Sequence, residues 1–338
     1  MPTTKTTLRP LSRAALTALT VGVGLLGAAC DQGALGEASD AIAFRPGGGW
    51  GCTQCGLTLG NSPNINGAEL SDVHLDAVNT SGIKVRLGTG PLPDALSFAL
   101  EVDMEKETFV AVDPGDRDVE LFSGADFVGA KIALEMPNGG GTVTLVITDY
   151  DEEVESWAAG GAPLVAYKAE YMNGNAYTSL CPSTSPENQW FTLIAGEIYD
   201  RDSHLITPSS RSVSIACVGE AAAKMKLMDF HPQGNRGASV DERTATLRMI
   251  TADYCGDGTS YTATGVPVAW RDVDGMIEPP TEENYLEAIW TKDGARCLDI
   301  PRLHDRDTIH CSIPECEGMQ ELDKDAGDVW RTMLPSLD

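Results

Sequence analysis

"AKIALEMPNGGGTVTLVITDY", residues 130–150, is the stretch that decides how this chain folds. Apolar residues alternate with polar ones on either side of a Gly-rich break. Ala130–Met136 and Thr142–Tyr150 therefore read as two strands of a hairpin, with Val143, Leu145 and Ile147 on one face. Strand character begins near Val85 and continues after the hairpin in "PLVAYKAEYM" (163–172), "WFTLIAGEIYD" (190–200) and "RSVSIACV" (211–218). Three helices are expected among these strands and beyond them. "GEAAAKMKLM" (219–228) is rich in good helix formers. "DERTATLRMITADY" (241–254) opens on acids, spaces Ala245, Met249 and Ala252 at helical intervals, and meets Gly256 as a stop. "TEENYLEAIW" (281–290) has Thr281 after two prolines and acids in its first turn. The expected fold class is mainly β with a few short helices (α+β), in a disulfide-braced exported ectodomain.

Export is read from the other end of the chain. Lys5, Arg9 and Arg13 precede an uncharged apolar run, Ala14–Ala29, that ends in Gly27-Ala28-Ala29 before Cys30. That is the layout of a bacterial secretory signal, too short for a comfortable membrane span. "LLGAAC" also resembles a lipobox, in which the cysteine becomes the lipidated first residue, although Gly27 stands where Leu is usual. Ordinary cleavage at or just after the same point is the alternative. Cysteine arithmetic favours lipidation: nine cysteines less Cys30 leave eight, an even set for an oxidising compartment. The partner implied is a membrane, reached through a lipid anchor at Cys30, in the periplasm or at the cell surface.

Charge narrows the partners further. Removing residues 1–29 leaves 21 basic against 50 acidic residues, a formal charge near −29. Such a surface repels nucleic acid, whose binding needs Lys and Arg to displace counterions. The expected order is a signal peptide (1–29), a flexible Gly-rich tether (30–50), an N-terminal β-rich region (51–160), a second domain (161–312) and an acidic C-terminal tail (313–338).

Several clusters invite chemistry. "CTQC", Cys52–Cys55, has the spacing of a redox pair, but a tether precedes it and "GLTLGNSPN" follows, so a local disulfide is the stronger reading. Zinc held by Cys52 and Cys55 with Cys311 and Cys316, or with His304 and His310, would need ligands from both ends of the chain. The carboxylates of 113–120 and 323–328 could attract calcium, but neither run has EF-hand spacing. No Gly-x-Ser-x-Gly elbow, His-Glu-x-x-His helix or phosphate-binding loop is present. His204 and His231 read as solitary surface or turn residues. No cofactor is expected. From locality and strand layout, the expected disulfides are Cys52–Cys55, Cys181–Cys217, Cys255–Cys297 and Cys311–Cys316.

The run "TADYCGDGTSYTATGVPV" (251–268) looks most like a signature. Tyr254 can pack, Cys255 can cross-link, Gly256 and Gly258 allow positive φ, and Asp257 can bond the turn backbone. Asp253 at a helix end is electrostatically unfavourable, so it should find a Thr, an Arg or a ligand. The whole motif, Ala252 to Gly258, reads as a structural corner more readily than as a catalytic site.

The longer run "LRMITADYCGDGTSYTATGVPV" (247–268), followed by "LEAIWTKDGARCLDIPR" (286–302), resembles the ADYC domain of bacterial exported proteins, named for its tetrapeptide. The frame around it is similar too: Cys181 after "YTSL", Cys217 in "SVSIAC", and an Ala/Lys helix ahead of the motif. Cysteines frequent in the family near Met225 and Thr246 are both missing here. The resemblance implies domain boundaries and location; it brings no established activity. The leading expectation is a non-enzymatic cell-envelope lipoprotein that binds an envelope protein or glycan. The alternatives are a secreted hydrolase acting on cell wall or polysaccharide, and a calcium-stabilised adhesive module.

Overall fold

A computed structural model describes residues 62–75, 82–91, 96–173, 176–182, 189–263, 266, 268–277, 285–303, 305–319 and 321–334. Cys30, Cys52, Cys55, His304, the signal and the tether lie outside these. The described strands open with a small pair, β1 (Asn64–Ile65) and β2 (Ala68–Glu69). The largest sheet follows: β3 (Val73–His74), β4 (Ile83–Val85), β5 (Gly88–Thr89), β6 (Ser97–Asp103), β7 (Thr108–Val112), β8 (Glu120–Ser123), β9 (Lys131–Glu135), β10 (Thr142–Val154), β11 (Leu164–Asn173), β12 (Ala176–Ser179), β13 (Trp190–Tyr199) and β14 (Ile206–Cys217). Helices α1 (Ala221–Leu227) and α2 (Val240–Thr251) come next. A second sheet is built from β15 (Ala269–Asp272), β16 (Tyr285–Thr291), β17 (Gly294–Leu298) and β18 (Trp330–Leu334), in spatial order β15-β18-β16-β17.

The hairpin at 130–150 forms as its alternation predicts, with Leu145 opposite Ile132 and Val143 opposite Leu134. Its β9–β10 pairing also closes a ring. Following neighbours from β10 through β11, β13, β14, β3, β4 and β9 returns to β10, a seven-stranded barrel. All pairs in the ring are antiparallel except β3 with β4. Closure leaves no unpaired edge in the ring. Every second residue points inward, so Val143, Leu145, Ile147, Tyr167, Phe191, Leu193, Val213 and Ile215 fill one core. Strands β5 to β8 extend from β9 as a flap of the same sheet. The ring draws on strands from either side of the boundary expected at residue 160, and both sides belong to one unit.

The second core lies among α1, α2 and the four-stranded sheet, around Met225, Phe230, Leu247, Met249, Tyr254, Trp290 and Trp330. Helix α2 starts at a capping box: Ser239 accepts from Glu242 N–H, and the Glu242 side chain accepts from Ser239 N–H. It stops at Ala252, which adopts φ 52° and ψ 42°, rather than at Gly256. Asp253, Tyr254 and Cys255 thus lie past the helix, not in its last turn.

The helix expected at 281–290 is a correction: residues 285–291 are strand β16. Ala288 and Trp290 face the helix core, while Ile289 faces a small opposite cluster with Cys297 and Cys316. With both faces covered, the alternation that marks a half-buried strand is absent. The tail expected at 313–338 carries β18, which lies between β15 and β16.

Candidate functional site

The ADYC corner explains itself residue by residue. Asp253 is fully buried, and its carboxylate accepts from the N–H groups of Asp257 (3.1 Å) and Gly258 (2.9 Å). His204 Nδ1 lies 3.1 Å and Arg248 Nε 3.7 Å from the same carboxylate. The expected unfavourable helix end is thereby neutralised by Arg248 and by turn amides. Tyr254 donates to Glu287 at 2.5 Å, accepts from Arg302 N–H at 3.1 Å, and stacks on Trp290 with ring centroids 5.1 Å apart. Burial, together with the Glu287 charge, holds its phenol protonated well above the usual range. Arg302 completes the group with two hydrogen bonds to Glu287 and further bonds to the Met249 and Ile250 carbonyls at the end of α2.

The glycines are required by close approach. Gly256 has φ +71°, and a Cβ there would overlap the Asp293 carbonyl. Gly258 has φ +92°, and a Cβ there would overlap the Asp202 carbonyl. Asp202 belongs to the loop joining β13 to β14, and Asp293 to the loop joining β16 to β17. The corner is therefore the piece on which a barrel hairpin and a hairpin of the second sheet both rest.

Three disulfides lie among the described residues. Cys181–Cys217 is bonded as expected. Cys255 pairs with Cys311 and Cys297 with Cys316, which replaces the expected Cys255–Cys297 and Cys311–Cys316 pairs. Neighbours on a strand point to opposite faces: Leu298 enters the helix core beside the corner, so Cys297 faces away from it. Cys311 and Cys316 are spent on these bonds, which removes them from the zinc arrangement. At the two calcium candidates, Asp113 accepts from Gly115 and Asp116 N–H, and Asp323 from Asp325 and Ala326 N–H. Met225 and Thr246 are buried on the two packed helices; Thr246 accepts from Trp330 Nε1 at 2.8 Å.

A second polar group was not legible in the sequence. Asp103 accepts from Glu105 and Lys106 N–H, tightening the β6–β7 turn, and the following Glu107 takes φ +50°. A non-glycine residue in that region stores strain, which concentrates at functional sites. Glu107 is thereby driven into the protein interior. Strand β13 is bulged between Ala195 and Glu197, where Gly196 has φ +89°, and Ala195 N–H donates to Glu107 Oε1 at 2.8 Å. Lys226 of α1 lies 2.8 Å from Glu107 Oε2 and donates to the Leu193 carbonyl at 2.5 Å. His231 Nδ1 is 2.8 Å from the same Oε2, off the line of a good hydrogen bond. Glu107, Lys226 and His231 are all buried. Burial alone would raise the Glu107 carboxyl, but the Lys226 and His231 charges outweigh it and hold it at about 2. Burial lowers Lys226, with Glu107 opposing.

This trio forms part of the wall of a cleft of about 500 Å³. Glu105, Glu152, Glu153, Lys106, Tyr150 and Leu164 also line it. Carboxylates predominate over cations, and Tyr150, Pro163 and Leu164 add apolar surface. The only hint in the sequence was a lysine inside the Ala/Met run of α1. His231, read as a solitary turn residue, is buried beside Glu107; His204, read the same way, is buried beside Asp253.

A closed, mostly antiparallel barrel with a flap, joined to a helix pair and a four-stranded sheet through a disulfide-bonded corner, defines the architecture. The model of the ADYC domain matches residues 124–304, from just before β9 to beyond Arg302. The chain belongs to the ADYC domain family. The match begins upstream of the domain start expected at residue 161 and takes in the hairpin that closes the barrel. No curated protein matches the chain, and no solved structure does.

Proposed function

We propose that this protein is an exported, envelope-anchored binding module that recognises its ligand in the cleft above Glu107. No helix among the described residues is long and apolar enough to cross a membrane. The anchor in this reading is a lipid on Cys30, and the three disulfides suit an oxidising compartment. The observation that carries the reading is the cleft itself: a cavity whose wall includes a strained, buried, charge-paired glutamate. Its excess of carboxylates beside Tyr150 suits a ligand rich in hydroxyl or amine groups, which an envelope glycan or a cationic protein segment would present. Binding is favoured over hydrolysis because Glu107 is held ionised near 2, far from the range a general acid or base needs at neutral pH. Asp253, the buried acid of the ADYC corner, is taken up by turn amides.

The test is thermal unfolding of the full chain with glycans, polyamines, calcium and chelator in turn. A ligand at 100 times its Kd adds about 2.7 kcal/mol. The expected result is a rise in Tm with a hydroxyl- or amine-rich compound that Glu152→Gln removes, and no change with chelator. A rise that persists in that variant removes the cleft from the proposal. Turnover of a polysaccharide would instead support the hydrolase. Palmitate labelling of cells making the full chain should be lost in Cys30→Ser.

A further inference from the structure

The three disulfides differ in what surrounds them. Cys181 and Cys217 are 1 % and 4 % exposed, inside the barrel core. Cys297 and Cys316 are 0 % and 2 % exposed, in the small cluster behind β16. Cys255 and Cys311 are both half-buried, so solvent reaches this bond alone of the three. His310 lies beside it, with Nδ1 3.9 Å from Cys255 Sγ. The imidazole is gripped at both ends: Nε2 lies 2.6 Å from Asp257 Oδ2, and Nδ1 lies 2.6 Å from the Tyr261 hydroxyl. These two partners fix the ring with Nδ1 on the side of Cys255, where it can exchange a proton with a sulfur that leaves there. On the Cys311 side, a shallow cavity of about 220 Å³ is lined by Leu298, Arg306, Ile309, Cys311, Ser312 and Ile313. Access, an entry space at one sulfur and a histidine at the other are what thiol exchange requires.

We propose that Cys255–Cys311 is a thiol-exchange site that accepts electrons from a dithiol, and that the other two disulfides are structural. The thiolate of the dithiol attacks Cys311 Sγ from the cavity, forming a mixed disulfide and breaking the Cys255–Cys311 bond. Cys255 leaves as a thiolate beside His310 and takes up, through the imidazole, the proton that the attacking thiol gave up. The second thiol of the reagent then attacks the mixed disulfide, releasing Cys311 as a thiolate that takes up the remaining proton. The dithiol is oxidised by two electrons and the protein disulfide is reduced by the same two. This step is independent of the cleft and of any ligand there.

The experiment uses the full chain under non-reducing conditions. It is treated with dithiothreitol as the dithiol and, separately, with glutathione; free thiols are alkylated at intervals and located by peptide mass spectrometry. Cys255 and Cys311 should be alkylated at least about tenfold faster than the four buried cysteines. With glutathione the adduct should appear on Cys311, with Cys255 alkylated. His310→Asn should slow opening of this bond by about tenfold and leave the others unchanged. Circular dichroism and thermal unfolding of the oxidised variant check that its fold persists. Simultaneous opening of all three bonds, glutathione on Cys255, or an unchanged rate in folded His310→Asn each overturns the proposal. A folded dithiol oxidoreductase in place of dithiothreitol then separates a protein reductant from a small one: acceleration at equal thiol concentration assigns the site to a protein.

Discussion

Among the described residues two buried histidines, His204 and His231, each lie against a buried carboxylate, and the two sites serve different ends. At the corner, Asp253 meets His204 and gives its oxygens to the amides of its own loop. At the cleft, Glu107 meets His231 and Lys226, with all three side chains lining an open cavity. The chemistry is similar; the surroundings are not. A carboxylate spent on local backbone fixes a chain direction. One brought from a strained turn to a cavity wall, and held ionised by cations of another segment, contributes little to any turn and costs desolvation. The family signature therefore marks the scaffold, whereas the recognition surface proposed here is assembled from residues outside the tetrapeptide.

Five substitutions break or sharpen that contrast. The largest effect is expected for Glu107→Gln, which leaves Lys226 buried without its counter-charge at a cost of about 3–5 kcal/mol in urea unfolding at neutral pH. The folded carboxyl lies at about 2 against 4.5 for the unperturbed group. Its stabilisation is thus complete above the unfolded value and is lost as the pH falls through the folded one. The gap between wild type and Glu107→Gln should accordingly close in acid, and a gap that stays constant would mean that charge is not its source.

Gly258→Ala comes next, at more than about 2 kcal/mol, because it combines positive φ with a clash on the Asp202 carbonyl. Gly237→Ala is its control: φ is +63°, but nothing lies within 4 Å of the added Cβ. That variant should lose only about 1 kcal/mol in the same denaturation series. Asp253→Asn should cost about 1–3 kcal/mol by weakening charge-assisted bonds, without altering any ligand response. Glu152→Gln, on the cleft wall, should leave stability within about 0.5 kcal/mol and change only the ligand-induced rise in Tm. If Asp253→Asn abolished ligand response in folded protein, the division between scaffold and cleft would fail.

The barrel's long strands were legible because 130–150, 163–172, 190–200 and 211–218 are apolar, β-branched and aromatic runs; in 130–150 the alternation is explicit, and β13 and β14 also give their outer faces to the second core. Strands β3 and β4 were not: they are two and three residues long, too short to show a period. β16 was hidden behind an apparent helix start, Thr281 after two prolines with Glu282 and Glu283 following, and the two rearranged disulfides follow from the sheet geometry that replaces that helix. At the corner, the roles of Tyr254, Cys255, Gly256 and Gly258 follow from residue type alone. The cleft was illegible because Glu107 comes from the β6–β7 turn, Lys226 and His231 from the end of α1 and the loop beyond it, and Glu152 from β10. The same holds for His204, whose carboxylate partner is 49 residues away. Sequence adjacency carries no information about such encounters.

The ring also imposes an order of assembly. Val73 pairs with Val213 on one side and with Ile83 on the other, while Val85 pairs with Leu134. β4 can thus join β9 once residue 135 is made, whereas β3 meets β14 only after the chain through β14 is complete. Contacts of such sequence separation carry a large loop-closure entropy and slow folding. In a chain emerging amino end first, the edge of β3 that meets β14 stays unpaired throughout that interval, and the seam between these two strands can close only at its end.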